Sequence, residues 1–210
     1  MSVVEQLAKA ADSGVDVVDY SEQLSRFLEP DCAAAIWHRQ TPPSIQVWLD
    51  ALAPELLPKG RVVLRPDAVA KTVDHLCDMS KLPNGPERDW FIADITSLAV
   101  RFSGLMSATF LRLRLDVVTT NACRKFHVDA IKGRLVCTFR GTGTQYGLSM
   151  KGDDPQRVFT VPTGAPILLR GSLWPEQPAK GLLHRSPPIQ GTGETRLVLV
   201  LDPVSDPEGE

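Results

Sequence analysis

The segment Cys123-Arg-Lys-Phe-His-Val-Asp-Ala130 carries an imidazole and a carboxylate two residues apart, His127 and Asp129. On a strand over about 124–130, residues two apart project to the same side. His127 and Asp129 then point together, with Cys123 and Lys125 further along that face and Phe126 and Val128 opposite. Such a pair can share one cation, and neutral imidazole nitrogen with carboxylate oxygen suits Fe(II), Mn(II) or Zn(II). A third donor is His184, in Gly-Leu-Leu-His-Arg-Ser-Pro-Pro, at the end of a short apolar segment and before a rigid turn. Two histidines and one carboxylate leave other coordination positions open for a co-substrate and oxygen. Arg196 begins the last strong strand pattern, and a fixed guanidinium there can grip a carboxylate with both arms of its fork. Arg140, which also ends a strand pattern, is its rival, with Arg185 and Arg134 behind it. The plainer readings are an Asp–His hydrogen bond without metal, a turn histidine before Pro187 and a surface charge at Arg196. An unpaired Asp inside a barrel would carry the desolvation penalty of a buried charge, so Asp129 needs a partner under either reading.

Other residues could wall the same site. Gln145 and Tyr146, in the glycine-rich stretch Gly141-Thr-Gly-Thr-Gln-Tyr-Gly147, are expected in a loop near the barrel mouth, where they could touch substrate; Lys125 and Trp174 are further pocket candidates. That stretch is not GxGxxG, no GK[ST] follows it, and no helix opens after it, so it reads as a turn rather than a phosphate cradle. His75 and Cys77 fall on a helical pattern, where i and i+2 diverge. No GxSxG occurs, and nucleophilic hydrolysis has no local support.

The elements that must position these groups change character near residue 108. Before it the patterns are mostly helical: Val3–Ala11, a weak turn of helix at Ser21–Leu28, a helix capped by Ser44, another over Asp67–Met79, and the clearest over Glu87 to about Ser103, where apolar residues recur at helical steps. Residues 32–37 fit a strand or a buried helical turn equally. After 108 the period falls to two. In TFLRLRLDVV, Leu111, Leu113, Leu115 and Val117 alternate with Arg112, Arg114 and Asp116, a strand with one polar face. Further strands are expected near 124–130, 134–140, 157–161, 166–170, 181–184 and 195–201. No long helix follows any of them, which disfavours parallel βαβ winding and favours an antiparallel barrel or sandwich.

The chain has 210 residues, 43% hydrophobic and 23% charged, with a formal net charge of −2. That balance excludes wholesale disorder, and its neutrality offers nucleic acid or anionic membrane no general attraction. No apolar run is long enough to span a bilayer. The first twenty residues lack a basic region followed by an apolar one, so no secretory signal is expected and cytoplasm is the default compartment. The four cysteines form no CxxC pair and read as free, mostly buried thiols.

His-x-Asp, a distal His and a following Arg on an all-β half resemble the Fe(II)/2-oxoglutarate-dependent oxygenases of the double-stranded β-helix (jelly-roll, cupin-like) fold. The resemblance covers about residues 109–202. It implies His127, Asp129 and His184 as iron ligands and Arg196 as the partner of the distal carboxylate of 2-oxoglutarate. Thr163-Gly-Ala-Pro-Ile-Leu-Leu-Arg-Gly171 also looks like the turn and strand that precede the distal His in such barrels. Two departures concern the co-substrate. Many of these oxygenases carry a hydroxyl residue two positions after the Arg, where this chain has Val198, and often a Tyr or Asn earlier in the barrel, for which Tyr146 is the nearest tyrosine. More closely, FHVDAIKGRLVCTFRGTGTQY, HRSPP, RLVLVLDP and Ala35-Ile-Trp-His-Arg39 resemble an uncharacterised bacterial family, domain of unknown function 1826. Members are often encoded near metallochaperone-type GTPases of zinc homeostasis, which implies a link to metal supply.

The expected fold is α+β: a mainly helical N-terminal part (1–107) packed on a C-terminal double-stranded β-helix (108–203), with a flexible acidic tail (204–210). The expected function is a non-haem Fe(II)/2-oxoglutarate-dependent hydroxylase taking a small-molecule co-substrate. The alternative is a non-oxidative, cupin-like protein that holds zinc or another divalent ion with the same ligands. Pairing into a homodimer would suit such a barrel.

Overall fold

The computed structural model describes residues 14–149, 153–176 and 181–206. The expected helix Val3–Ala11 and the end of the acidic tail, 207–210, lie outside the described residues. Three α-helices form one layer: α1 (Pro43–Ala51), α2 (Val69–Met79) and α3 (Pro86–Met106). Pro86 opens α3, where its missing N–H costs nothing, and Glu87 and Asp89 favour the positive end of the helix. Phe91, Ile95, Leu98, Ala99, Phe102 and Met106 recur at three- and four-residue steps along α3 and are buried. The weak helical pattern at Ser21–Leu28 is a 3-10 helix that buries Leu24 and Phe27. No helix among the described residues is long and apolar enough to cross a membrane.

The strands are β1 (Val15–Val18), β2 (Ala34–Trp37), β3 (Gly60–Leu64), β4 (Phe110–Val118), β5 (Gly133–Arg140), β6 (Gln145–Ser149), β7 (Phe159–Thr160), β8 (Pro166–Arg170), β9 (Gly181–Arg185) and β10 (Arg196–Val204). They form a seven-stranded sheet in the order β1-β2-β8-β5-β10-β4-β3 and a three-stranded sheet in the order β7-β6-β9. Among the described residues all pairings are antiparallel except β1 with β2. From β4 onward the chain alternates between the sheets: β5, β8 and β10 join β4 in the large one, while β6, β7 and β9 build the small one. Among the described residues no strand pair closes the two sheets into a ring; they face each other across a shared core.

Alternation on the large sheet sorts its side chains into two cores. Leu111, Leu113 and Leu115 of β4, Leu135, Cys137 and Phe139 of β5, and Leu197, Leu199 and Leu201 of β10 pack towards the helices. Val136, Ile167, Leu169, Val198 and Val200 point the other way and meet Tyr146 and Leu182 of the small sheet. Phe139 is fully buried and meets Phe91 edge to face, with ring centroids 5.0 Å apart. Phe139→Ala is expected to lower stability by about 3–5 kcal/mol, read as a lower urea midpoint at unchanged slope.

The part before residue 108 carries strands as well as helices: β1, β2 and β3 extend both edges of the large sheet. β2 has core residues on both faces (Ala35 on one, Ala34 and Ile36 on the other), so it shows no alternation to detect. Residues 124–130 do not form a strand; they lie in a loop that touches β9 through one bridge, His127 with His184. Tyr146 is not in a loop but in β6, directly opposite His184 of β9.

Candidate metal centre

The backbones of His127 and His184 exchange reciprocal N–H···O=C bonds, each 3.0 Å long. Ser186 N–H also donates to the Cys123 carbonyl at 2.9 Å. Beyond His127 the loop turns under β8: Ser172 N–H donates to the Asp129 carbonyl and Leu173 N–H to the Ile131 carbonyl. A Cβ at Gly171 would collide with both of those carbonyls, so this close approach requires glycine. The fold thus brings the predicted donors together: one ligand atom from each of His127, Asp129 and His184 lies within 4.8 Å of the others.

Two of the donors, His127 and Asp129, are oriented by neighbours outside the cluster. Nδ1 of His127 lies 2.9 Å from the Lys125 carbonyl. A carbonyl can only accept, so Nδ1 is the donor of this contact, which leaves Nε2 as the ring atom that can face a cation. That Nε2 is 3.5 Å from Oδ1 of Asp129. Nε2 of His184 is 3.0 Å from Oδ2 of Asp129, yet the contact lacks hydrogen-bond geometry, and the buried Oδ2 has no hydrogen-bond partner. An orphaned buried carboxylate oxygen beside two imidazoles is what a cation site requires, and the donor set fits a divalent ion. Oδ1 of Asp129 is held by Arg134 Nη1 at 2.6 Å, and Arg134 makes a second, two-pronged pair with Asp202 at 2.6 and 2.8 Å.

Burial alone would raise the Asp129 pKa. His184, Arg134 and His127 outweigh it and hold the carboxyl at about 2. Burial lowers His184 against the pull of Asp129, so the ring is neutral at neutral pH. A carboxylate beside a neutral imidazole is a pair ready to ligate.

These groups open on a cavity of about 320 Å³. Arg196, only 1% exposed, lines it, with Nε donating to the Thr142 carbonyl at 2.6 Å and Nη2 to the Thr138 hydroxyl at 3.3 Å. Burial pushes this guanidinium down to about 10, which leaves it cationic at neutral pH. Among the described residues it has no carboxylate partner. Arg140 does not reach the cavity: a bulge between Leu197 and Val198 shifts the register, pairs Arg140 with Leu197, and lets Arg140 donate to the Leu52 carbonyl on the helical side.

The remaining candidates disperse. The Lys125 side chain is exposed, although its carbonyl orients His127. Gln145 accepts from Arg185 Nε at 2.9 Å. Tyr146 stacks on Phe159, and burial pushes its phenol up to about 12. Trp174 packs against Phe27 and Arg170, away from the histidines. Sequence reading missed Arg134 as the clamp on Asp129, and Thr138 and Thr142 as the cradle of Arg196. Arg134 left a usable signal, a cation opening the strand after the Asp129 loop.

A family model described as protein of unknown function, DUF1826, matches residues 19–202. The chain belongs to the DUF1826 family. No curated protein matches this DUF1826 chain. Its fold is similar to that of the dioxygenase for auxin oxidation 1 from Arabidopsis thaliana, solved as a binary complex with 2-oxoglutarate, at 10% identity over 91% of this chain and 93% of that one, with a TM-score of 0.52. It is also similar to the dioxygenase for auxin oxidation in rice, at 12% identity over 92% of this chain and 84% of that one, with a TM-score of 0.51. At such identities the likeness is one of fold.

Proposed function

We propose that this DUF1826 chain is an oxygenase that uses Fe(II) and 2-oxoglutarate to oxidise a small substrate. One observation carries the reading. His127, Asp129 and His184 converge on the cavity that also contains Arg196, a buried guanidinium without a carboxylate partner among the described residues. The passage of β4 to β10 back and forth between two facing sheets supports a double-stranded β-helix.

His127, Asp129 and His184 would hold the iron and leave adjacent positions open. Iron together with the 2-oxo acid supplies the oxidising power for hydroxylation. The chain's own residues bind and orient. Arg196 takes the far carboxylate of 2-oxoglutarate, with Thr142 and Thr138 fixing the plane of its fork. The hydroxyl that many such oxygenases carry two residues after this Arg is missing at Val198. Thr138, the cross-strand partner of Val198, supplies a hydroxyl at the same level of the sheet. Val136, Val198 and Val200 line the cavity with apolar surface that excludes water.

Anaerobic addition of Fe(II) and 2-oxoglutarate tests the reading. The expected result is the weak visible charge-transfer band of the chelate; no band, with zinc retained tightly, overturns it. Arg196→Gln should raise the 2-oxoglutarate concentration that half-develops the band by about ten-fold or more, with bound iron unchanged.

A further inference from the structure

The cavity contains more positive charge than the co-substrate uses. Four arginines line it (Arg114, Arg134, Arg185 and Arg196) against two aspartates, Asp116 and Asp129. Arg134 is neutralised by Asp129 and Asp202. Arg185 is occupied by Gln145 and lies over the Phe126 ring, 4.3 Å from its centroid. Arg196 is assigned to 2-oxoglutarate.

Arg114 is left. Leu113 and Leu115 on either side are buried against the helices, so Arg114 projects to the cavity side of β4. Among the described residues its side chain has no hydrogen bond and no ion pair, and its Nε is buried without a partner. Asp116, two residues on, is not within ion-pair distance. The residue directly opposite Arg114 on β3 is Arg61, on the same face. Two like charges opposite each other across a strand pair repel unless an anion lies between them. A buried, unsatisfied donor on a guanidinium is likewise costly until a ligand fills it. Both costs fall when an oxyanion binds.

We infer that the cavity takes a small anionic substrate whose carboxylate or phosphate is gripped by Arg114, with Arg61 beside it at the edge of the sheet. The word substrate rests on the oxygenase reading; the anion site rests on Arg114 and Arg61 alone. Arg114 lies opposite Val200 and Arg196 opposite Val118, so the two guanidinia sit at different levels of the sheet and can hold two different anions.

The test uses the whole protein loaded with Zn(II), so that no turnover intervenes, with 2-oxoglutarate at saturation. Benzoate and inorganic phosphate are the probes, read by saturation-transfer NMR and by phosphorus line width. At least one should bind, and Arg114→Gln should weaken it about ten-fold or more while the Kd for 2-oxoglutarate moves less than about two-fold. Arg196→Gln should do the reverse. Arg114→Lys keeps the charge, loses the fork and should fall between; it carries the test if Arg114→Gln does not fold. The inference is overturned if neither probe binds, if both bind the variants as they bind the native chain, or if Arg114→Gln weakens 2-oxoglutarate as much as the probes. If 2-oxoglutarate fails to bind the native protein while Arg114→Gln still loses the probes, the oxygenase reading falls and the anion site stands.

Discussion

Asp129→Ala is expected to abolish metal uptake without unfolding the chain. Asp129 supplies the charged donor of the set, and its loss leaves two imidazoles, so affinity for Fe(II) or Zn(II) should drop by more than about 100-fold, the upper range for loss of a mere supporting residue. Folding should survive because Arg134 keeps its two-pronged pair with Asp202. Metal at about 100 times its Kd stabilises a folded protein by about 2.7 kcal/mol. The native chain should therefore melt higher with added Zn(II), and Asp129→Ala should melt at one temperature with or without it. Metal analysis after dialysis against a metal-buffered solution, paired with thermal melts, checks both halves. A variant that still takes up one equivalent would show that the carboxylate is not a ligand.

Asp202→Ala should have the opposite signature: a large loss of stability with the metal donors in place. Asp202 is 2% exposed, pairs with Arg134 through both oxygens and lies 4.0 Å from Arg112. Removing one partner of a buried ion pair leaves an uncompensated charge and costs about 3–5 kcal/mol. For a chain of this size that corresponds to a fall in Tm of roughly 6–20 °C. Released from Asp202, Arg134 should lean wholly on Asp129 and compete with the cation for it. Metal affinity should then fall less than in Asp129→Ala, and Asp202→Asn, which keeps the shape and part of the hydrogen bonding, should recover part of the stability. Chemical denaturation with and without Zn(II) separates the two effects.

How much of this could be read from the chain depended on whether the cause was local. The His-x-Asp pair was legible because i and i+2 share a side even in the loop that replaces the expected strand. His184 was legible because an apolar segment ending at a rigid turn fixes where its last residue points. β4 declared itself through strict alternation, and its polar face is the one that lines the cavity. Arg140 was not legible: plain alternation from Thr138 would aim it at the cavity, and the bulge that turns it to Leu52 depends on pairing with a distant strand. Nor was Arg114, since a cation on a strand looks the same whether it faces water, a carboxylate or an enclosed space. β6 was hidden by its own glycine. Gly147 breaks the strand pattern but is required, because a side chain there would collide with the Arg157 carbonyl and Pro155.

The paired backbones of His127 and His184 have a bearing on how the protein is made. The donors are distant along the polymer, and their facing main chains meet only after β9 has emerged from the ribosome and docked. A nascent chain stalled before residue 184 would expose a carboxylate and one imidazole, too few to retain a transition ion. The cluster of three donors is thus complete only when β9 has docked on the loop of His127, one of the last steps in building the fold.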